Sequence, residues 1–111
     1  MILKTVPITD RAAVIRSKNA GPYVLTLDIM FKNEADYVFI KERQFFTKEL
    51  IARIYGISAN KIITIVYFDP AWAIKISLVR PVVSGAVGDT DVYGAQQHAP
   101  LLGIEIPVME E

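Results

Sequence analysis

The clearest pattern of apolar and polar positions is the strict alternation over residues 23–31. Every second residue from Tyr23 to Phe31 is apolar, and the positions between them include Thr26 and Asp28. Side chains alternate between the two faces of a strand, so a period of two predicts a β-strand with one wholly apolar face.

A helix is predicted directly after this strand. Asn33 is a favourable N-cap, and the pattern places Ala35, Val38 and Phe39 on the inward face of the helix.

A second helix is predicted from Thr47, which can act as its N-cap. Phe46 and Ile51 occupy the two positions of a hydrophobic staple, and Gly56 stands where a left-handed C-cap belongs. The helix is therefore expected to end at this glycine.

Residues 62–69 and 72–80 are rich in β-branched and aromatic residues, and Pro70 between them suits a tight turn. The two segments predict a β-hairpin. Its register would place three apolar pairs on one face, namely Tyr67 with Ile74, Ile65 with Ile76 and Ile63 with Leu78.

The two ends of the chain complete the predicted order. Near the N-terminus, Thr9 or Asp10 can cap a helix whose apolar stripe is Ile8, Ala12 and Ile15, and which ends in residues 19–22. Near the C-terminus, a helix is predicted for residues 90–98 and a strand for residues 101–108.

This order predicts an α+β domain, residues 1–111, with an N-terminal helix and loop in residues 1–22. Residues 23–111 then form βαββαβ, the pattern of a ferredoxin-like sandwich with a four-stranded antiparallel sheet. In that fold the first strand lies between the third and the fourth. The segment 16–22 is therefore expected to meet the segment 81–91 at one edge, and the second sheet face to be partly open for the N-terminal helix or a partner.

Composition narrows the possible functions of the chain. Its 12 basic and 12 acidic residues balance, which argues against nucleic-acid binding. It has no cysteine, signal peptide or long apolar segment, so a soluble cytoplasmic protein without membrane contact is expected. A hydrophobic content of 52% is high for 111 residues and predicts a homo-oligomer or hetero-oligomer.

One candidate site lies ahead of the first predicted strand, where four polar side chains follow one another: Arg16, Ser17, Lys18 and Asn19. The two cations could hold a carboxylate or phosphate, and the hydroxyl and amide could add directional hydrogen bonds. A basic last helical turn that complements the helix dipole explains the same residues structurally.

A second candidate site lies in GDTDVYGAQQHAP, residues 88–100. Asp89 and Asp91 offer oxygen ligands to a divalent cation such as Mg²⁺, although capping of a helix by Asp89 or Thr90 explains them equally well. No other cofactor motif is evident. Thr90, Tyr93 and Gln97 could add hydrogen bonds to a substrate.

His98 is the one side chain of its type in the chain and the natural candidate for acid–base catalysis. Asp91 is the second candidate catalytic residue. Seven helical positions separate the two, about 10 Å, so a direct dyad would require a bend or a bridging ligand.

Three long stretches carry a family resemblance: IRSKNAGPYVLTLDI, YFDPAWAIKI and GDTDVYGAQQHAPLLGIEIP. They resemble the small DUF4387 family, a domain of unknown function that stands alone or is fused to acyclic-terpene-utilisation-type proteins. The resemblance implies a hetero-oligomer with such a protein, a carboxylate or acyl-CoA ligand, and hydratase-like or lyase-like chemistry.

Two functions of different classes follow from these observations. The first is a small subunit that joins an acyclic-terpene-utilisation-type partner, binds the anion through Arg16 and Lys18, and handles a proton at His98. The second is a homo-oligomeric binding or scaffold domain without chemistry. An independent enzyme is the least favoured because the chain has little catalytic equipment.

Overall fold

A computed structural model describes residues 2–80 and 98–110 of the chain. The helices are α1 (Ile8–Arg11), α2 (Glu34–Glu42) and α3 (Lys48–Tyr55). The strands are β1 (Ile2–Pro7), β2 (Ala12–Asn19), β3 (Val24–Phe31), β4 (Ile62–Phe68), β5 (Ala73–Val79) and β6 (Glu105–Glu110). Short 3₁₀ turns cover Ala59–Lys61, Asp69–Ala71 and Ala99–Gly103. The helix predicted for residues 90–98 falls outside the described residues except for His98.

The fold is α+β and contains a four-stranded antiparallel sheet, as predicted. Its strand order is β2-β3-β5-β4, whereas β1 and β6 form a separate two-stranded ribbon. The ferredoxin-like order would place the last strand beside β3. In the structure β2 occupies that position, and β6 pairs with β1 instead.

The predicted N-terminal helix is therefore wrong over most of its length. Only Ile8–Arg11 is helical, Pro7 precedes it, and no side chain caps it, so neither Thr9 nor Asp10 has the predicted role. Residues 12–19 pair along the whole of β3 instead. Backbone pairing with a buried strand overrides the local helical spacing, while Ile8 and Ala12 are still buried.

The predicted hairpin is confirmed, and its register holds from Phe68 back to Thr64. The pair Ile63 with Leu78 is wrong, because a bulge shifts the register and Ile62 faces Leu78. The extra residue buries Ile62, which is 2% exposed, and leaves Ile63 45% exposed.

The predicted caps of α2 and α3 are confirmed. The Asn33 side chain accepts a hydrogen bond from the Asp36 amide, and the Thr47 side chain accepts one from the Leu50 amide. Gly56 ends α3 with φ 65° and ψ 36°, a left-handed conformation that glycine adopts without strain.

The inward face predicted for α2 is wrong. Its buried residues are Asp36, Tyr37 and Ile40, whereas Ala35 and Val38 are exposed and Phe39 is half-buried. Polar groups can be buried there because each has a partner: the Tyr37 hydroxyl donates to Asp69 at 2.6 Å, and Asp36 pairs with Arg11.

The core lies between one face of the four-stranded sheet and the layer formed by the helices and the ribbon. Its sheet side comes from alternating residues of β3 and β5, and its other side from α2, α3 and β6. The fully buried residues of the two central strands are Leu25, Leu27, Ile29, Ile74, Ile76 and Leu78. The opposite sheet face, here called the outer face, carries the intervening residues.

None of the helices in the described ranges combines the length and apolar composition that a bilayer crossing requires.

Candidate functional site

The beginning of β3 and the end of β5 lie side by side, as the sequence predicts. Val24 pairs with Val79, and the Arg80 amide donates a hydrogen bond to the Tyr23 carbonyl at 2.8 Å. The segment that contains Arg16 is strand β2 and not a loop, but its end reaches the same region through the turn to β3. Residues 81–91 lie outside the described residues.

Strand geometry separates the four residues of the first candidate site. Ser17 faces the same side as Leu27 and Asn19 the same side as Leu25, so both lie on the helix side of the sheet. Arg16 and Lys18 alternate with them and lie on the outer face. The four side chains therefore do not converge on one anion.

Ser17 and His98 meet on the helix side of the sheet. The Ser17 Oγ and His98 Nδ1 atoms are 3.5 Å apart, a long contact in which the donor depends on the histidine tautomer. Ser17 is 7% exposed, and His98 is half-buried. Although sequence analysis treated the two residues as parts of different sites, the fold joins them across 81 positions of the chain.

Arg80 extends this polar group. It follows Val79, so its side chain shares the helix side of the sheet with Leu78, and it is buried. We call Ser17, Asn19, Arg80 and His98 the sheet corner. These four residues supply a cation, a hydroxyl, an amide and an imidazole, which are groups of the kind that bind a carboxylate and exchange a proton.

A second charged group crosses the centre of the outer face. Asp28 is 1% exposed and pairs with Arg16, whose Nε lies 3.0 Å from Oδ2, and with Lys75, whose Nζ lies 3.6 Å from Oδ1. Arg16, Asp28 and Lys75 are directly opposite one another on β2, β3 and β5. This group does not follow from the predicted helix, because Arg16 lies opposite Asp28 only when residues 12–19 form a strand.

The other predicted site residues cannot be placed. Asp89, Thr90, Asp91, Tyr93 and Gln97 lie outside the described residues. Within residues 2–80 and 98–110, no three acidic or histidine side chains form a group that could hold a metal ion.

A titratable cluster connects α2 to the turn between β4 and β5. Asp69 accepts hydrogen bonds from Tyr37 at 2.6 Å and from Lys41 at 2.8 Å. The Lys41 ammonium and then the Tyr37 hydroxyl lower the pKa of Asp69. Burial, followed by the bond to Asp69, raises the pKa of Tyr37, and burial also raises that of Tyr55.

We expect the free energy of unfolding to fall as the pH rises above about 10, where the tyrosines of the unfolded chain ionise. Tyr37 keeps its proton in the folded protein because its pKa is raised, so high pH favours the unfolded chain. Tyr37→Phe should make this fall less steep, by up to about 1.4 kcal/mol per pH unit. Urea denaturation between about pH 8 and about pH 11 measures the slope.

Tyr23→Phe is the matched control, since Tyr23 is 63% exposed. The fall in stability should be less steep in Tyr37→Phe than in Tyr23→Phe. An unchanged slope in Tyr37→Phe would contradict the role assigned to burial and the Asp69 bond.

Comparison with known proteins places the chain in a family. The family model described as Domain of unknown function (DUF4387) matches residues 8–105. The chain therefore belongs to this family. No curated protein and no solved structure matches it significantly.

Proposed function

We propose that this DUF4387 domain is a small subunit that assembles with a larger protein of the acyclic-terpene-utilisation type. In that assembly the sheet corner contributes to a site for a carboxylate or acyl-CoA metabolite, on which hydratase-like or lyase-like chemistry takes place. The identity of the partner and the class of reaction rest on the family resemblance, while the position of the site rests on side-chain geometry.

The contact between Ser17 and His98 carries the proposal. Ser17 lies 3.5 Å from Nδ1 of the imidazole, and in the proposed site Nε2 is the atom that exchanges a proton with the metabolite. Removal or delivery of a proton beside a carboxylate or thioester is the step that hydration and elimination share.

Arg80 supports the anionic character of the metabolite. A buried guanidinium can offer several donors to a carboxylate or phosphate, and such bonds are stronger where water is excluded. Asn19 on the same side of the sheet adds an amide. Arg16, which the sequence suggested for this role, is instead engaged with Asp28 on the outer face.

Native purification of the tagged chain from its own organism tests the proposal. The intact assembly should contain the larger subunit in fixed stoichiometry, and its mass should include a retained carboxylate or acyl-CoA compound. Mass measurement before and after denaturation separates subunits from bound small molecules. Two separately purified chains that never associate, with or without the metabolite, would contradict the proposal.

A homo-oligomeric scaffold is the second candidate function. Exposed apolar side chains on the outer face, Val66 and Phe68 among them, favour it. It predicts that the isolated chain self-associates and that replacing His98 has no consequence in the native system.

A further inference from the structure

The outer face is organised in rows that run across all four strands. One row is apolar and consists of Val14, Met30, Ala73 and Phe68. The next is Arg16, Asp28, Lys75 and Val66, and the third is Lys18, Thr26, Ser77 and Thr64. Val66 is 48% exposed and Phe68 42%, so these two apolar side chains are in contact with water in the isolated chain.

The strand edges, by contrast, are poorly suited to pairing with another chain. Each outer strand of the four-stranded sheet has a bulge, between Ala12 and Val14 in β2 and between Ile62 and Thr64 in β4. Bulges disturb the ladder of donors and acceptors that an added strand would need.

The edges of the two-stranded ribbon are also poorly suited to pairing with another chain, because each strand contains a proline. Pro7 lies in β1 and Pro107 in β6, and neither has a backbone N–H. A proline within a paired strand turns its nitrogen away from its partner, so the missing donors lie on the outer edges. Association by strand addition is thus disfavoured at these edges as well, and the outer face is the better surface for a partner.

The charges of the outer face indicate what kind of partner fits. Arg16, Lys18 and Lys75 supply three positive charges and Asp28 one negative charge, which leaves a net of two positive charges. Asp28 is already engaged by Arg16 and Lys75, so the excess charge is available to acidic groups. A complementary surface would therefore present carboxylates between apolar side chains.

A second copy of the chain fits this face poorly. Two copies would bring two positively charged faces together, which costs binding energy. The face is also small, because its four strands are each only seven or eight residues long. A larger protein can extend beyond the sheet face and so bury more surface than the face alone provides.

We infer that the outer face is the docking surface for an acidic and apolar surface of a different, larger protein. The inference rests on the proposed function, because it assigns this role to the larger subunit of the assembly. It places the partner on the side of the sheet opposite the Ser17–His98 contact and leaves the core packing of the helices unchanged.

Isothermal titration of the purified chain with the purified larger subunit tests the surface. Val66→Ser and Lys18→Glu should each raise the dissociation constant by about tenfold or more. The first removes an apolar side chain from the face, and the second reverses one of its positive charges. Leu102→Ser and Lys48→Glu are the matched controls, because both residues are exposed and lie away from the outer face. The controls should bind within about twofold of the wild type.

Each alternative gives a distinct result. Wild-type binding that neither Val66→Ser nor Lys18→Glu weakens would overturn the docking surface and leave the proposed function standing. A stable dimer of the pure chain that Val66→Ser dissociates would assign the face to a second copy. A lower melting temperature of isolated Val66→Ser, without a change in binding, would show that another part of this chain covers the face. Absence of wild-type binding would refute the proposed function and the inference together.

Discussion

Asp36→Ala is expected to lower the free energy of unfolding by about 2–4 kcal/mol. The Asp36 carboxylate accepts hydrogen bonds from Arg11 Nη1 at 3.1 and 3.0 Å and from the Asn33 side chain at 3.0 Å. Its side chain is 10% exposed and that of Arg11 29%, so the pair is only weakly screened by water. Removing the carboxylate would leave the guanidinium beside α2 without this partner.

Thermal and urea denaturation measure the effect, which corresponds to a melting temperature lower by about 10 °C or more. Glu34→Ala is the control, because Glu34 is an exposed acidic residue in the same first turn of α2. It should change the stability by less than about 1 kcal/mol. Combining Asp36→Ala with Arg11→Ala tests the pair directly, since the two losses should not add. Equal effects of Asp36→Ala and Glu34→Ala would contradict the argument.

Features governed by neighbouring residues could be predicted from the sequence. The caps at Asn33, Thr47 and Gly56 require only a side chain or a glycine and the few amides that follow or precede it. The alternation of β3 and most of the hairpin register are likewise properties of short segments. These elements are found at or within one or two residues of their predicted bounds.

Features governed by distant partners could not be predicted in the same way. The spacing of Ile8, Ala12 and Ile15 fits a helix stripe, but it also fits a short helical turn followed by a strand. The choice depends on β3, which lacks a neighbour on one side until residues 12–19 fill that place. Once β2 takes this position, the C-terminal strand pairs with β1, and the predicted ferredoxin-like order changes at that edge.

The candidate site also combines features that could be predicted from the sequence with features that depend on distant partners. The meeting of the β3 start with the β5 end follows from antiparallel neighbours and is observed at Tyr23 and Arg80. The contact of Ser17 with His98 could not be predicted, because a helical Ser17 would have had no fixed position relative to the sheet. In a strand, Arg16 lies on the face opposite Ser17. The change from the predicted helix to a strand therefore separates the two cations of the first candidate site from the Ser17 hydroxyl.

In the proposed assembly, His98→Gln is expected to lower the turnover by about 10²- to 10⁴-fold, the usual contribution of a positioned acid or base. Glutamine can still hydrogen-bond to Ser17, but its amide does not exchange a proton near neutral pH. The rate is to be measured with the metabolite identified in the native assembly. Complex formation, measured by the same titration as for the wild type, should be unchanged. The reason is that His98 lies on the helix side of the sheet, away from the outer face.

Ser17→Ala separates catalysis from positioning. It removes the contact to Nδ1 but keeps the imidazole, so its loss of turnover should be smaller than that of His98→Gln. Leu102→Ser serves as the control on the same 3₁₀ turn, Ala99–Gly103, and should keep the wild-type rate. Full turnover in His98→Gln would show that the contact has a purely structural role and that the reacting groups belong to the partner. A loss in His98→Gln that exceeds the loss in Ser17→Ala, with both assemblies intact, is the pattern expected for proton exchange at the imidazole.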